Sequence, residues 1–277
     1  MKKILSFIKI EHTLFSLPMI YSGVFLASRE MPSIRLILLV LLAAIGARTV
    51  AMTLNRIFDR HIDARNPRTQ QRELPSGKLA MRHGYFVLAF GFIVYLGSAW
   101  LISDFCLALS PIPLAVFTIY PYLKRFTALA HFGVGLGLAM GPLGGWFAVT
   151  GSTADFGTAL ILPLFTLCWA TGFDIIYSTL DEEFDKAENL FSFPSRFGKV
   201  RALQISAALH VLAFGLLLIL FVTTLHGLIA VPFLILSGLL LYLEQKKADD
   251  VELAFFKINI VIGFAVFAMV FVSTMIA

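Results

Sequence analysis

Hydrophobic residues in this chain come in long runs, broken by short charged stretches. A bilayer core of roughly 30 Å takes about 20 helical residues to cross. Windows of that size fall near residues 13–28, 34–54, 84–102, 105–121, 131–149, 157–176, 201–223, 226–243 and 255–276. The pattern predicts an all-α polytopic membrane protein with nine transmembrane helices. The fourth window is short and holds Pro111 and Pro113, so a kink or tilt is expected there. The fifth carries Gly133, Gly137, Gly141 and Gly145 at steps of four, a small-residue stripe suited to close helix contact. The run after His12 is apolar to about Ala27 with no small-residue cleavage site after it, and reads as a retained span.

Basic residues set the expected orientation. They lie at Lys2, Lys3 and Lys9, at Arg56, Arg60, Arg65, Arg68, Arg72, Lys78 and Arg82, at Lys124 and Arg125, at Lys186, Arg196, Lys199 and Arg201, and at Lys246, Lys247 and Lys257. The alternate loops hold only Arg29 and Arg35. This bias predicts a cytoplasmic N-terminus, with the even-numbered spans ending on the cytoplasmic side of a prokaryotic inner membrane.

Composition agrees with the pattern. The chain has 277 residues, 58% of them hydrophobic and 14% charged, which excludes an ordinary soluble domain. Its net charge of +5 is dispersed over short loops, so no nucleic-acid partner is expected. Cys106 and Cys168 lie in apolar runs without metal-ligand spacing and read as small buried side chains. No linker divides the chain, and a single membrane domain over 1–277 is the economical reading. A weak internal echo suggests four-helix halves at 13–125 and 131–247, followed by a final helix at 255–276.

The candidate chemistry sits at two span ends. Asn55, Asp59 and Asp63 recur every four positions in NRIFDRHID. Asp174, Tyr177, Asp181 and Asp185 follow at steps of three, four and four in DIIYSTLDEEFD. Such steps keep side chains on one helical face. Facing carboxylates repel unless cations lie between them, and an all-oxygen donor set suits Mg²⁺ bridging carboxylates to phosphate. Six histidines are scattered and form no cluster with these runs.

Arg48 lies seven residues before Asn55, about 20° away on the same helix. An ionisable group inside a span reads as functional, here as a cation for an anionic group on a second substrate. A structural pairing with an acid such as Asp174 is the other reading. Arg68 and Arg72, with Lys124 four residues after Tyr120, are candidate phosphate partners. The run FPSRFGKVR, with Arg196 and Lys199, is a candidate cap over the site.

The chain resembles the UbiA superfamily of intramembrane aromatic prenyltransferases. NRIFDRHID is similar to that family's N-D/R-x-x-D-x-x-x-D motif, with Arg56 at the variable second position, and RTQQRELPSG to its R-T-x-x-R-x-L-P-x-G. Asp174, Tyr177 and Asp181 resemble its D-x-x-Y-x-x-x-D motif, and Tyr120 with Lys124 its Y-x-x-x-K element. EHTLFSLPMIYSGVFLA looks like the prokaryotic branch acting on 4-hydroxybenzoate, some members of which are assigned to the futalosine route of menaquinone synthesis. The resemblance implies that the aspartates bind diphosphate through Mg²⁺ and that Arg48 anchors an aromatic carboxylate. It also implies a lateral opening to lipid for a prenyl tail.

The function expected is Mg²⁺-dependent transfer of a polyprenyl group from polyprenyl diphosphate to a ring carbon of an aromatic acid in the bilayer. Asp59, Asp63, Asp181 and Asp185, with Asn55 and Asp174, would hold two Mg²⁺ ions. Two roles are open to Tyr177, covering an allylic cation with its ring or orienting a carboxylate. A hydroxynaphthoate acceptor would use the same chemistry. A transporter of an anionic solute shares the intramembrane charge, but its site belongs near the midplane, whereas these acids lie at helix ends. Oligomeric state and prenyl chain length leave no trace in the sequence.

Overall fold

The computed structural model describes residues 2–9, 13–28 and 30–276, and all regular structure among them is helical. His12 and Arg29 lie outside the described residues. The helices are α1 (Lys2–Phe7), α2 (Thr13–Ala27), α3 (Ile34–Phe58), α4 (Arg60–Arg65), α5 (Met81–Ile102), α6 (Asp104–Leu109) and α7 (Pro111–Leu123). They continue with α8 (Ala130–Thr150), α9 (Phe156–Ser178), α10 (Glu182–Ala187), α11 (Phe193–Phe197), α12 (Lys199–Leu220), α13 (Val231–Lys246) and α14 (Asn259–Met275). Among the described residues, eight helical segments are long and apolar enough to cross a membrane. The ninth expected span is α2, apolar but only 15 residues long, about 22 Å at 1.5 Å per residue.

The expected kink in the fourth window is an interruption at Ser110, which keeps right-handed helical dihedrals. Ser103 starts α6 by accepting the Cys106 N–H at 3.1 Å. That helix stops at Leu109, and Pro111 opens α7 in the first turn, where its missing N–H costs nothing. Gly151 closes α8 in the left-handed conformation, with φ 57° and its N–H on the Phe147 carbonyl.

In the bundle α3 packs on α5 and α7, and α7 on α8. Helix α8 packs on α9, α9 on α12, α12 on α13 and α13 on α14. Helix α2 fits between α8 and α14. The core centres on α9, where the buried Trp169 ring lies 5.7 Å from Phe165 and 5.3 Å from Phe173. On the outside the apolar side chains are bare, with Phe86 and Ile93 71% exposed and Val211 74%. A surface of that kind needs lipid as its solvent.

The glycine stripe of α8 serves two neighbours. A Cβ at Gly133 would lie 2.6 Å from the Tyr120 Cβ of α7. One at Gly145 would lie 2.2 Å from the Ile20 carbonyl oxygen of α2. The packing read from the sequence is therefore real, and the stripe turns from one partner to the other along its length. Gly145→Ala is expected to destabilise the folded protein by about 1–3 kcal/mol through forced separation of α2 and α8. Gly144→Ala, where an added Cβ meets nothing within 4 Å among the described residues, is the matched control and is expected to leave the unfolding temperature in detergent unchanged or raised.

Candidate active site

Both acidic runs cross a helix joint at the corresponding aspartate. Asp59 ends α3 and precedes α4, with φ −92° and ψ 2°. Asp181 closes a 3₁₀ turn after α9 and precedes α10, with φ −110° and ψ 7°. In the first run the helical pattern is kept across the joint, because the Asp59 N–H reaches the Asn55 carbonyl at 3.0 Å and the Asp63 N–H the Asp59 carbonyl at 2.7 Å. The four-residue spacing thus still aims Asn55, Asp59 and Asp63 at one place.

That place is the polar end of a cavity of about 540 Å³. Asp59, Asp63, Asp174, Tyr177, Asp181 and Asp185 line it, as do Arg48, Asn55, Arg68, Arg72, Tyr120 and Lys124. Every candidate residue from the two runs and their basic partners is therefore brought together. The cavity continues along α3 to Ala44 and Val40 and between Leu109, Phe147 and Ala148, where its walls are apolar. From Asp59 to Val40 the helix covers about 28 Å at 1.5 Å per residue, close to a bilayer core.

At the polar end carboxylates are matched with bases. Lys124 Nζ lies 2.6 Å from Asp59 Oδ2, Arg125 Nη2 lies 3.3 Å from Oδ1, and Asn55 Nδ2 donates to Oδ2 at 3.2 Å. Arg72 Nη1 donates to both Asp63 oxygens, at 2.8 and 2.9 Å. Arg68 grips Asp181 through Nε at 2.9 Å and through Nη2, and its Nη1 donates to the Tyr177 hydroxyl at 2.6 Å. Burial raises the Asp59 carboxyl above its ordinary range, against the opposing pull of Lys124. Burial works to lower the Arg68 pKa, but its bonds to Asp181 outweigh this and the net shift is upward.

Arg48 lies two turns before Asn55 on the cavity wall and donates from Nη2 to the Lys9 carbonyl at 3.3 Å. Tyr120 lies within electrostatic reach of Asp59, Arg48 and Asp174. Asp185 lines the wall beside Ser192. No residue of the run FPSRFGKVR, the expected cap, lines the cavity, whereas Leu190, Phe191 and Ser192 just before it do. Arg196 stacks on the Phe191 ring at 3.6 Å, and Lys199 is paired with exposed Asp249.

Four residues of the site had no signal in the spacing. His131, at the start of α8, holds Asp174 through Nδ1 at 2.7 Å, and the Phe193 N–H reaches its Nε2 at 3.4 Å. Asn66 donates to Asp181 Oδ1 at 2.8 Å and so ties the loop after α4 to the second acidic run. Arg125 stood in the sequence only as a loop charge. Phe255 lines the cavity and stacks on Tyr177, with ring centroids 4.3 Å apart.

The donor chemistry fits a hard divalent ion, since the wall presents carboxylate and amide oxygens and the His131 ring is turned to Asp174. Among the described residues, no three His, Cys, Asp or Glu side chains already converge on one point. The aspartates are held by bases instead, so an ion would enter by exchange of partners.

Comparison with known proteins places this geometry. The UbiA prenyltransferase family model matches residues 16–261. A UbiA homologue from Aeropyrum pernix K1, solved in the apo state, superposes with a TM-score of 0.87 at 33% identity, covering 95% of this chain and 98% of that one. A UbiA homologue from Archaeoglobus fulgidus, solved with GPP and Mg²⁺, shares the fold at a TM-score of 0.71 and 19% identity, over 96% of this chain and 99% of that one. The mitochondrial 4-hydroxybenzoate polyprenyltransferase of Schizosaccharomyces pombe is 31% identical over 153 residues, 54% of this chain and 42% of the relative, so the match spans less than half of that protein. With the family model covering most of its length and a relative of the same fold matched almost end to end, the chain belongs to the UbiA prenyltransferase family.

Proposed function

We propose that this chain transfers a polyprenyl group from polyprenyl diphosphate to a ring carbon of an aromatic acid, with 4-hydroxybenzoate as the favoured acceptor. The observation that carries the reading is the cavity itself. Its polar end gathers the five aspartates of the two acidic runs with Lys124, Arg68 and Arg72, and its apolar length runs along a membrane span. A substrate with a polyanionic head and a hydrocarbon tail matches both ends. The A. fulgidus homologue was solved with such a diphosphate and Mg²⁺, and the S. pombe relative is named for 4-hydroxybenzoate, which supports the choice. The basic loops at the polar end support a cytoplasmic face for it.

Asn55, Asp59, Asp63, Asp174, Asp181 and Asp185 would hold Mg²⁺, which when bound neutralises diphosphate charge and improves it as a leaving group. Lys124, Arg68 and Arg72 exchange their aspartate partners for phosphate oxygens, adding charge where it develops. The allylic C–O bond breaks with its electron pair on the diphosphate. A ring carbon ortho to the acceptor hydroxyl attacks the allylic carbon, and loss of the ring proton restores aromaticity. Arg48, two turns deeper on α3, orients the ring through its carboxylate and turns a diffusive encounter into a positioned one. The apolar walls exclude water that would capture the cation.

Asp59→Asn and Asp181→Asn are each expected to lower kcat by on the order of a hundredfold or more while the protein still runs as a monodisperse species in detergent. Normal turnover in either variant removes it from the reaction. Arg48→Ala is expected to raise KM for the aromatic acid about 10- to 100-fold, as for loss of a hydrogen bond to a charged group, with KM for the prenyl diphosphate unchanged. An unaltered aromatic-acid dependence takes Arg48 out of the acceptor site.

Purified protein in detergent with geranyl diphosphate, Mg²⁺ and 4-hydroxybenzoate is expected to form the prenylated acid, and EDTA to stop it. Product only from a dihydroxynaphthoate keeps the chemistry and changes the acceptor. No product from either, with the diphosphate still bound, rejects the aromatic-acid assignment.

A further inference from the structure

Behind the cavity wall lies a buried polar hub that the reaction does not touch. Trp169 on α9, Glu244 on α13 and Asn259 at the start of α14 are each 0% exposed. Asn259 Oδ1 accepts the Trp169 Nε1–H at 2.6 Å, and its Nδ2 donates to Glu244 Oε1 at 2.9 Å. Glu244 Oε2 lies 3.8 Å from His210 Nδ1 and has no hydrogen-bond partner among the described residues. An amide and a carboxyl buried among apolar spans are costly compared with leucines, so what else the hub holds becomes the question.

It holds a backbone irregularity. Residues Leu253–Ile258, just before α14, form a π-helical turn. Such a turn replaces the regular i to i−4 bonds with i to i−5 bonds, and the register shift leaves a helix carbonyl without its usual backbone donor. The same Asn259 Nδ2 reaches the Phe255 carbonyl at 2.9 Å and the Ala254 carbonyl at 3.1 Å. The hub therefore fixes the backbone on which Phe255 stands. Phe255 packs edge-on against Phe173 at 5.4 Å and stacks on Tyr177 at 4.3 Å. Tyr177 in turn accepts from Arg68, whose guanidinium holds Asp181 and lies 4.9 Å from the Tyr177 ring centre.

We propose that Asn259 is a positioning residue for the reaction: braced by Trp169 and Glu244, it holds the π-turn that sets Phe255 against Tyr177, and thereby fixes the Arg68–Asp181 end of the diphosphate site. The inference rests on the diphosphate reading of that site. It assigns Phe255 as the contact through which Asn259 acts, and Glu244 as a hydrogen-bond acceptor whose charge is not required.

The test is a double-mutant cycle of Asn259→Leu and Phe255→Leu, read as kcat and KM for geranyl diphosphate and as unfolding temperature. Each single variant is expected to lower kcat/KM by roughly tenfold, and the double variant by no more than either alone, because both changes release the same ring. Glu244→Gln is expected to match wild type and Glu244→Leu to match Asn259→Leu. Ser206→Ala removes the donor to the Gly172 carbonyl between α12 and α9 and the acceptor of Gln245 Nε2, but touches neither Phe255 nor the π-turn, so it is expected to lower the unfolding temperature alone.

Multiplying effects of the two leucine variants, or an Asn259→Leu protein that unfolds earlier yet turns over normally, overturns the proposal. The same cycle read as affinity for Mg²⁺ with geranyl diphosphate, without acceptor, separates it from the acceptor assignment. Wild type that binds with a non-additive cycle but makes no prenylated acid sustains the inference and rejects that acceptor. Additive binding effects reject the inference alone, and wild type that does not bind the diphosphate rejects both.

Discussion

Charge matching at one end of an apolar bundle is the constraint on which this structure depends. Asp59 and Asp63 are almost fully buried, and Asp181 faces the same cavity. Carboxylates this close in a medium of low polarity cannot all stay ionised without cations among them. Lys124, Arg125, Arg72 and Arg68 supply those cations, drawn from two separate stretches of the chain. The loops between spans are thereby drawn together over the cavity mouth. Under the proposed function the same matching would let the site exchange partners, because each base that now neutralises an aspartate is suited to a phosphate oxygen. The wall opposite has no such requirement and stays apolar.

Much of this was legible in the sequence because it is local. Helix periodicity fixes the angle between Asn55, Asp59 and Asp63, and the helical hydrogen bonds across the Asp59 joint keep it. Span positions followed from apolar length, and Pro111 marked where α6 and α7 part. What escaped is tertiary. His131 meets Asp174 across 43 positions, Asn66 meets Asp181 across 115, and Trp169 meets Asn259 across 90. No spacing rule reaches that far. The π-turn was invisible for a different reason, since its residues LAFFKI read as ordinary helix and the Asn259 donor that supports two of its carbonyls leaves no mark in the apolar pattern.

The glycine stripe shows the same division on a smaller scale. Its four-residue repeat announced close packing on one face of α8. Its partners could not be read, and the structure gives α7 to Gly133 and α2 to Gly145. Close approach of α2 to α8 leaves room beside them for the apolar reach of the cavity, which Gly141, Gly144 and Gly145 help to line.

The joints at Asp59 and Asp181 divide each acidic run into an anchored part and an outlying part. The anchored parts belong to α3 and α9, whose unfolding would bare backbone polar groups to hydrocarbon. The outlying parts, α4 and α10, are six residues each and too short to be stable helices alone. They are cross-tied, because Arg65 Nη2 lies 2.7 Å from Glu188 and both Asn66 and Arg68 hold Asp181. In the language of local unfolding they form one small cooperative unit, less stable than the spans beneath it. Amide exchange over 60–65 and 182–187 would then share a rate that the spans do not. Opening of the cavity mouth would then cost less free energy than unfolding the bundle.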